Sequence, residues 1–250
     1  SARLTPLALA TLAALTPPDI DVGFSDDQIR PIGLQSDFQK ADLVAISVMS
    51  KTAYRGYEIA DACRKKGIKV VLGGIHPTIL PEEASAHADA VVIGEAEILW
   101  PRVLEDFKAN RLQRFYRQDG VVDMNHSPVP QRGIFNFHSR SYIPLDVVQT
   151  TRGCPYHCDF CTVNSVFGNH FRMREIDQVV AEVQGLTRWG IRFADDNVMG
   201  NVSYSRRLFT ALEPFKLKWI GEASLAGLDN EQNLKILQKS GCKALFIGFE

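Results

Sequence analysis

Between residues 1 and 110 the chain alternates short, almost unbroken blocks of Val, Ile and Leu with stretches whose apolar residues recur at helical spacing. The blocks Asp19–Phe24, Asp42–Val48, Lys69–Leu72 and Ala90–Ile93 predict strands. Because they are apolar on successive residues rather than alternate ones, they predict strands covered on both faces, as in a parallel sheet. Residues Ala53–Lys66 predict a helix, closed by Gly67. The apolar start, Leu4–Leu15, imitates a signal peptide in its Ala8, Leu9, Ala10 sequence, but Arg3 is the one basic residue ahead of it, and a buried helix is expected.

This rhythm breaks at residues 111–144, where Pro128, Pro130, Gly133 and Pro144 interrupt an aromatic-containing stretch without periodicity, read as a linker that packs on both halves. From Leu145 it resumes. Strands are expected at Leu145–Thr150, Ile191–Ala194, Leu217–Ile220 and Ala244–Ile247, with helices at Ile176–Trp189, Tyr204–Leu212 and Glu231–Ser240. Trp189 is expected in the core with the apolar positions of its helix. The pattern is α/β throughout: a Rossmann-like parallel sheet in residues 1–110, a linker in 111–144, and a second run of βα units in 145–250.

Composition narrows the partners. A formal net charge of -1 over 250 residues leaves no electrostatic footprint for nucleic acid or an anionic membrane. No stretch is long and apolar enough to span a bilayer. Five cysteines, an odd and sparse set, suit reduced thiols in a cytoplasmic protein better than a disulfide framework. Cys63 and Cys242 read as small buried hydrophobes, and His87, His126 and His138 have no spacing that suggests a metal.

The other three, Cys154, Cys158 and Cys161, lie within eight residues, directly after the strand expected at Leu145–Thr150. Three thiolates on one loop can hold three irons of a cubane and leave the fourth open to a ligand that is not protein. The C-x3-C-x2-C order differs from the ferredoxin run, in which every iron is capped. A zinc site using the three cysteines with His157 or His170 is an alternative, and would make the chain a non-catalytic interaction module, although structural zinc generally pairs two ligand hairpins.

With Phe160 just before the last cysteine, this loop resembles that of the radical S-adenosylmethionine (SAM) enzymes. The resemblance implies a [4Fe-4S] cluster on Cys154, Cys158 and Cys161, SAM chelating the open iron, Phe160 against the adenine, and reductive cleavage to methionine and a 5′-deoxyadenosyl radical. It also implies a partial barrel of six βα units. The chain would then be a fragment truncated at both ends, lacking a strand before Leu4 and two barrel units after Glu250. A small-molecule substrate and an external electron donor such as flavodoxin or ferredoxin would complete the system.

Acids stand at successive strand ends of the second half. Asp195 and Asp196 follow one predicted strand, Glu222 the next and Glu250 the last, and on the resemblance these four are candidate SAM contacts, at the end where barrels place their sites. The alternative reading is that Asp196 or Asn197 caps the following turn. Arg152 neutralises the anionic cluster, and Gly153 allows a tight turn.

In open α/β sheets ligands sit at the carboxyl ends of strands. In the first half these ends carry Ser47, Ser50 and Thr52, then Gly73, Gly74 and His76, then Gly94 and Glu95. Ordinary βα turns favour the same residues. A Rossmann-like half of this kind ahead of the cysteine loop resembles the cobalamin-binding class of radical SAM enzymes, which implies cobalamin at those eight residues. The chain lacks the D-x-H-x-x-G pattern that supplies a histidine to cobalt, so the resemblance implies a corrinoid held without histidine ligation. Methyl transfer is the activity expected; a corrinoid-free radical SAM enzyme performing cyclisation or rearrangement is the alternative.

Overall fold

The computed structural model describes residues 3–34, 38 and 40–248, with residues 136–140 as backbone only. They divide into two units, one formed by Ala8–Val122 with Pro130–Asn136, the other by the first residues through Leu7 with Asp123–Val129 and the chain from Phe137 onward.

The first unit is a four-stranded parallel sheet in the order β1 (Leu43–Ser47), β2 (Lys69–Gly73), β3 (Ala90–Ile93) and β4 (Phe115–Arg117). Five helices accompany it: α1 (Leu7–Leu15), α2 (Ala53–Lys65), α3 (Ile75–Ile79), α4 (Pro81–Ser85) and α5 (Ala96–Lys108). Side chains alternate across the sheet. Val70, Leu72, Val91 and Ile93 pack with Tyr57, Ala60 and Cys63 of α2, whereas Val71, Ala90 and Val92 pack with Trp100, Val103 and Leu104 of α5. Burial on both faces is what the unbroken apolar blocks require. Helix α2 stops as expected: the Gly67 amide bonds the Arg64 carbonyl and the Ile68 amide the Cys63 carbonyl, the double bond of a Schellman end.

Two expectations in this half are corrected. Asp19–Phe24 enters no sheet; it begins in a turn after the Pro17–Pro18 pair, its Asp19 carboxylate takes the Lys108 ammonium at 2.7 Å, and Ile20 packs onto the α5 face of the core. The region read as a linker from residue 111 instead supplies β4, whose Phe115, Tyr116 and Arg117 pair with Val91, Val92 and Ile93.

The second unit holds a parallel sheet in the order β10-β9-β8-β5, made of β5 (Leu145–Val148), β8 (Gly190–Phe193), β9 (Trp219–Glu222) and β10 (Cys242–Phe246). A short antiparallel pair, β6 (Thr151–Arg152) and β7 (Arg172–Met173), closes the segment that follows β5. Its helices are α6 (Val163–Phe167), α7 (Ile176–Gln184), α8 (Val202–Leu212) and α9 (Glu231–Lys239). Phe193, Phe209 and Trp219 form the centre of the core, with the Phe209 and Trp219 rings stacked at 4.6 Å. Helices α8 and α9 start at Asn201 and Asn230, whose side chains accept from the amides two or three residues on.

Helix α7 ends at Gln184 rather than reaching Trp189, because Gly185 takes the C-cap position. Trp189 is consequently 64% exposed, not core, with the Lys218 ammonium 4.6 Å above its ring.

Candidate functional site

Strand β5 ends at Val148, and the chain then runs through Gln149 and Thr150 into the cysteine loop. Its base is closed by the β6/β7 pair and by Gly153, whose φ of +85° is open to glycine and whose missing side chain lets the His170 carbonyl approach; an added Cβ would lie 2.7 Å from that oxygen. The three cysteines are unpaired thiols, Cys158 exposed and Cys154 and Cys161 half-buried. The Cys161 amide bonds the Cys158 carbonyl at 3.0 Å, and Asn164 reaches back to the Tyr156 carbonyl. Phe160 stands 67% exposed beside them. Among the described residues no three His, Cys, Asp or Glu side chains close on a single metal-ion position; the thiols stand on the loop as separate soft donors, the donor set of an iron–sulfur cluster.

The Asp195–Asn197 segment after β8 lies against the start of this loop. Asp195 is 2% exposed, and its carboxylate accepts from the Thr150 amide at 2.6 Å, the Thr150 hydroxyl at 2.5 Å and the Thr151 amide at 2.9 Å. This corrects its expected role: the carboxylate is spent on the loop's backbone and is not offered to a ligand. Burial pushes its pKa up to about 6, against the opposing pull of those hydrogen bonds. Asp196 is half-buried and accepts from the Gly153 amide at 3.2 Å. Burial raises its pKa, opposed by that amide and reinforced by the charge of Glu222; β8 and β9 pair side by side and parallel, so Asp196 and Glu222 stand at the same end of neighbouring strands. Glu222, exposed at the end of β9, is ion-paired with Arg192, whose guanidinium also lies over the Phe246 ring. Of the four acids, Asp196 and Glu222 stand at neighbouring strand ends, the first half-buried and the second exposed, while Glu250 lies outside the described residues.

Arg152 turns back onto the Gln149 side-chain oxygen, at 2.9 Å from Nη2. Beneath the loop, the Arg174 amide bonds the Thr150 carbonyl, its guanidinium donates to the Gln149 carbonyl at 3.0 Å and to Glu182 of α7 at 2.6 Å, and Tyr204 of α8 donates to the Arg174 carbonyl at 2.8 Å. This buried bracket was not anticipated from sequence, where nothing in a single Arg and a Glu eight residues on announces a pair.

In the first unit, β1, β2 and β3 bring their candidate loops to one end of the sheet. Gly74 has φ +98°, and a Cβ there would meet the Val48 carbonyl at 2.9 Å and the Ser47 hydroxyl at 3.1 Å; the Val48 amide and carbonyl bond Gly73 and His76 across this approach. Ser47 is exposed. Thr52 is committed to its own turn, exchanging hydrogen bonds with the Met49 backbone. Thr78, missed by sequence reading, joins two loops by donating to the Gly74 carbonyl and accepting from the Gly94 amide. The Glu95 amide bonds the Gln118 side chain at 2.6 Å, which draws the end of β4 into the same set.

His76 is not presented as a ligand. Its ring is buried, with Nδ1 3.3 Å from the Ser50 hydroxyl and Nε2 3.1 Å from Glu83. Glu83 also takes the Tyr57 hydroxyl, and the His76 bond, followed by that of Tyr57, holds its pKa below the usual range. Around these loops Met49, Tyr54, Ile75, Ile79, Leu80 and Ile98 are exposed apolar side chains, a surface suited to a large apolar ligand.

Comparison with known proteins agrees with this geometry. Residues 2–104 match the family described as the B12 binding domain. The bacteriochlorophyllide d C-12(1)-methyltransferase of Chlorobaculum tepidum is 31% identical over 256 residues, an alignment covering 98% of this chain and 55% of that protein. The hopanoid C-2 methylase of Rhodopseudomonas palustris is 26% identical, covering 100% of this chain and 49% of that protein. The chain thus spans about half the length of the curated relatives it matches. Among solved structures, the cobalamin-dependent S-adenosylmethionine radical enzyme OxsB, with aqua-cobalamin and S-adenosylmethionine bound, superposes with a TM-score of 0.79 at 16% identity, covering 100% of this chain and 42% of that one. The radical S-adenosylmethionine methyltransferase TsrM from Kitasatospora setae gives 0.76 at 16% identity, covering 98% of this chain and 56% of that one. These likenesses show a shared fold. The first part of the chain thus carries a B12-binding domain, and over its whole length the chain is similar in sequence to methyltransferases and in fold to cobalamin-dependent radical SAM enzymes.

Proposed function

We propose that this chain is the cofactor-bearing part of a cobalamin-dependent radical SAM methyltransferase acting on a small molecule. The observation that carries the reading is three free thiols on one loop whose base is held by Asp196, with the exposed Glu222 at the same end of the neighbouring strand. When bound, the cluster supplies the electron for reductive cleavage of SAM, and cobalamin supplies a methyl carrier.

The protein's own part is to hold and orient. Cys154, Cys158 and Cys161 would bind three irons, while Phe160 offers an exposed ring face to an adenine. Asp196 and Glu222 would accept hydrogen bonds from the SAM ammonium, for which two adjacent carboxylates are a matched partner. Asp195 acts behind them by fixing the backbone at Thr150 and Thr151. In the first unit, the close backbone approach at Gly74, the exposed Ser47 hydroxyl and the apolar side chains around the strand ends suit a corrinoid and its tail. The B12-binding match over residues 2–104 favours this over a corrinoid-free scaffold.

An external one-electron donor such as flavodoxin or ferredoxin would serve the cluster. Five free thiols support a reducing, cytoplasmic setting. No described helix is long and apolar enough to cross a membrane.

The full-length protein, incubated with hydroxocobalamin and passed through gel filtration, is expected to retain one equivalent of corrinoid by its visible absorption, and to transfer a deuterated methyl group from labelled SAM to a product detected by mass spectrometry. Absence of retained corrinoid would contradict the cobalamin part of the proposal, and iron-free, zinc-loaded protein by elemental analysis would contradict the whole.

A further inference from the structure

Four side chains of the first unit form one hydrogen-bonded line that ends in the loop after β1. The Tyr57 hydroxyl of α2 donates to Oε1 of Glu83 on α4 at 2.9 Å, and His76 of α3 places its Nε2 3.1 Å from the same oxygen. The other ring nitrogen, Nδ1, lies 3.3 Å from the hydroxyl of Ser50. His76 is buried and its amide bonds the Val48 carbonyl, so its backbone and its ring both hold this loop. Tyr57 is braced in turn by the His87 ring, stacked on it at 4.2 Å, and His87 by Asp61 at 3.0 Å. At the far end of the line Ser50 is exposed.

Chemistry fixes the direction of each bond along this line. Glu83 is exposed, and the bonds from His76 and then Tyr57 hold its pKa below the usual range, so it is a carboxylate and can only accept. Nε2 of His76 therefore carries a hydrogen, and in the neutral ring Nδ1 is the acceptor. Ser50 has one hydroxyl hydrogen, and Nδ1 takes it. The Ser50 oxygen is left with lone pairs alone to turn outward. It can receive a ligand's N–H but has no hydrogen for a ligand's oxygen.

We propose that His76 is a positioning residue for corrinoid binding, which holds the Ser50 hydroxyl hydrogen on its own Nδ1 so that the Ser50 oxygen accepts from a carboxamide N–H at the rim of the corrin ring. This rests on the reading of the first unit as a cobalamin site. A corrin ring is a broad apolar body whose rim carries carboxamide arms, each with two N–H donors. Ser50 matches such a rim: it is a polar acceptor flanked in the chain by the exposed apolar side chains of Met49 and Tyr54. His76 acts through Ser50 and touches no ligand itself, and Glu83 and Tyr57 act behind it by fixing which of its nitrogens carries the hydrogen.

The test measures hydroxocobalamin affinity of the full-length protein by equilibrium dialysis, in wild-type form and as Ser50→Ala, Glu83→Ala, Glu83→Gln and the double variant Ser50→Ala with Glu83→Ala. Glu83 is exposed, so the fold tolerates its replacement. Ser50→Ala is expected to raise Kd by about three- to tenfold, the worth of one hydrogen bond, and Glu83→Ala to raise it several-fold because the His76 ring is released. Glu83→Gln keeps an oxygen for the Nε2 hydrogen and should bind as wild type does. In the Ser50→Ala background Glu83→Ala should add nothing, whereas a merely structural loss would persist there. Of the monocarboxylic acids made by hydrolysing single carboxamides of cobalamin, at least one should bind wild type more weakly than cobalamin and lose that deficit in Ser50→Ala. The proposal is overturned if Glu83→Ala binds as wild type, if Glu83→Gln is as weak as Glu83→Ala, if the loss persists without Ser50, or if no acid distinguishes wild type from Ser50→Ala. Wild-type protein that retains no corrinoid would instead overturn the cobalamin reading beneath it, and the same dialysis reads that outcome separately.

Discussion

The Asp195 carboxylate binds Thr150 twice, taking its amide at 2.6 Å and its hydroxyl at 2.5 Å, deep beneath the loop that carries the three cysteines. A carboxylate so placed is costly to bury and more costly to remove. With the Thr151 amide included, Asp195→Ala leaves three buried donors without their acceptor. At about 1–3 kcal/mol for each unsatisfied group, partly relieved by relaxation, a loss of about 3 kcal/mol in unfolding free energy is expected. Urea denaturation followed by circular dichroism measures it, and a change below about 1 kcal/mol would show that the clasp is not structural.

The same carboxylate makes a pH prediction. Burial raises its pKa from 3.8 to about 6 in the folded protein. Between those values the folded state binds more protons than the unfolded one, so the contribution of Asp195 to stability is largest below the unfolded pKa and is lost as pH rises through about 6. The difference in unfolding free energy between wild type and Asp195→Asn should change by about 3 kcal/mol across that window and be flat above it. Parallel profiles for the two proteins would contradict the assignment.

Gly153→Ala should open the loop. The residue has φ +85°, and the new Cβ would lie 2.7 Å from the His170 carbonyl, which belongs to backbone and cannot swing aside. Strain of about 1–3 kcal/mol at the loop base is expected, together with a several-fold fall in iron retained after anaerobic reconstitution. Iron content by colorimetric assay reads this directly. Full iron content would mean that the β6/β7 closure is not needed to shape the site.

Arg174 and Glu182 make a buried ion pair with Nη1 and Oε2 2.6 Å apart, both side chains nearly inaccessible. Glu182→Ala leaves the guanidinium without its counter-charge, a change that costs about 3–5 kcal/mol for buried pairs. The double replacement Arg174→Met with Glu182→Leu should recover much of that loss, since it removes the stranded charge. A thermal denaturation series that finds the double variant no better than Glu182→Ala would assign the loss to something other than the unpaired cation.

Much of this was legible in the residues themselves. The strands at Lys69–Leu72 and Ala90–Ile93 were readable because burial on both faces forces apolar residues at nearly every position, and the cysteine loop because its spacing is local; the block at Asp42–Val48 also forms a strand but at the sheet edge, with Ala45 and Ser47 exposed rather than covered. What escaped depends on partners distant in sequence. Strand β4 is three residues held by pairing with β3 and has no periodicity to detect. Asp19–Phe24 has the composition of a strand but no neighbour to pair with among the described residues, so tertiary context overrides propensity. Asp195 and Asp196 look identical in sequence, and only the depth of the first and the shallower seat of the second divide their roles. Asn197 does cap the turn that follows, its oxygen accepting from the Met199 amide while its nitrogen donates to the Ser224 hydroxyl beyond β9.

The central claim is that Cys154, Cys158 and Cys161 hold a cluster that cleaves SAM. The most direct measurement is dithionite-dependent formation of 5′-deoxyadenosine by the anaerobically reconstituted full-length protein, quantified by liquid chromatography beside its Cys158→Ala variant. The account predicts an iron–sulfur absorption band and steady 5′-deoxyadenosine production in the wild type, both lost in the variant. Retention of both by Cys158→Ala, or their absence from wild-type protein that carries zinc in place of iron, would contradict it.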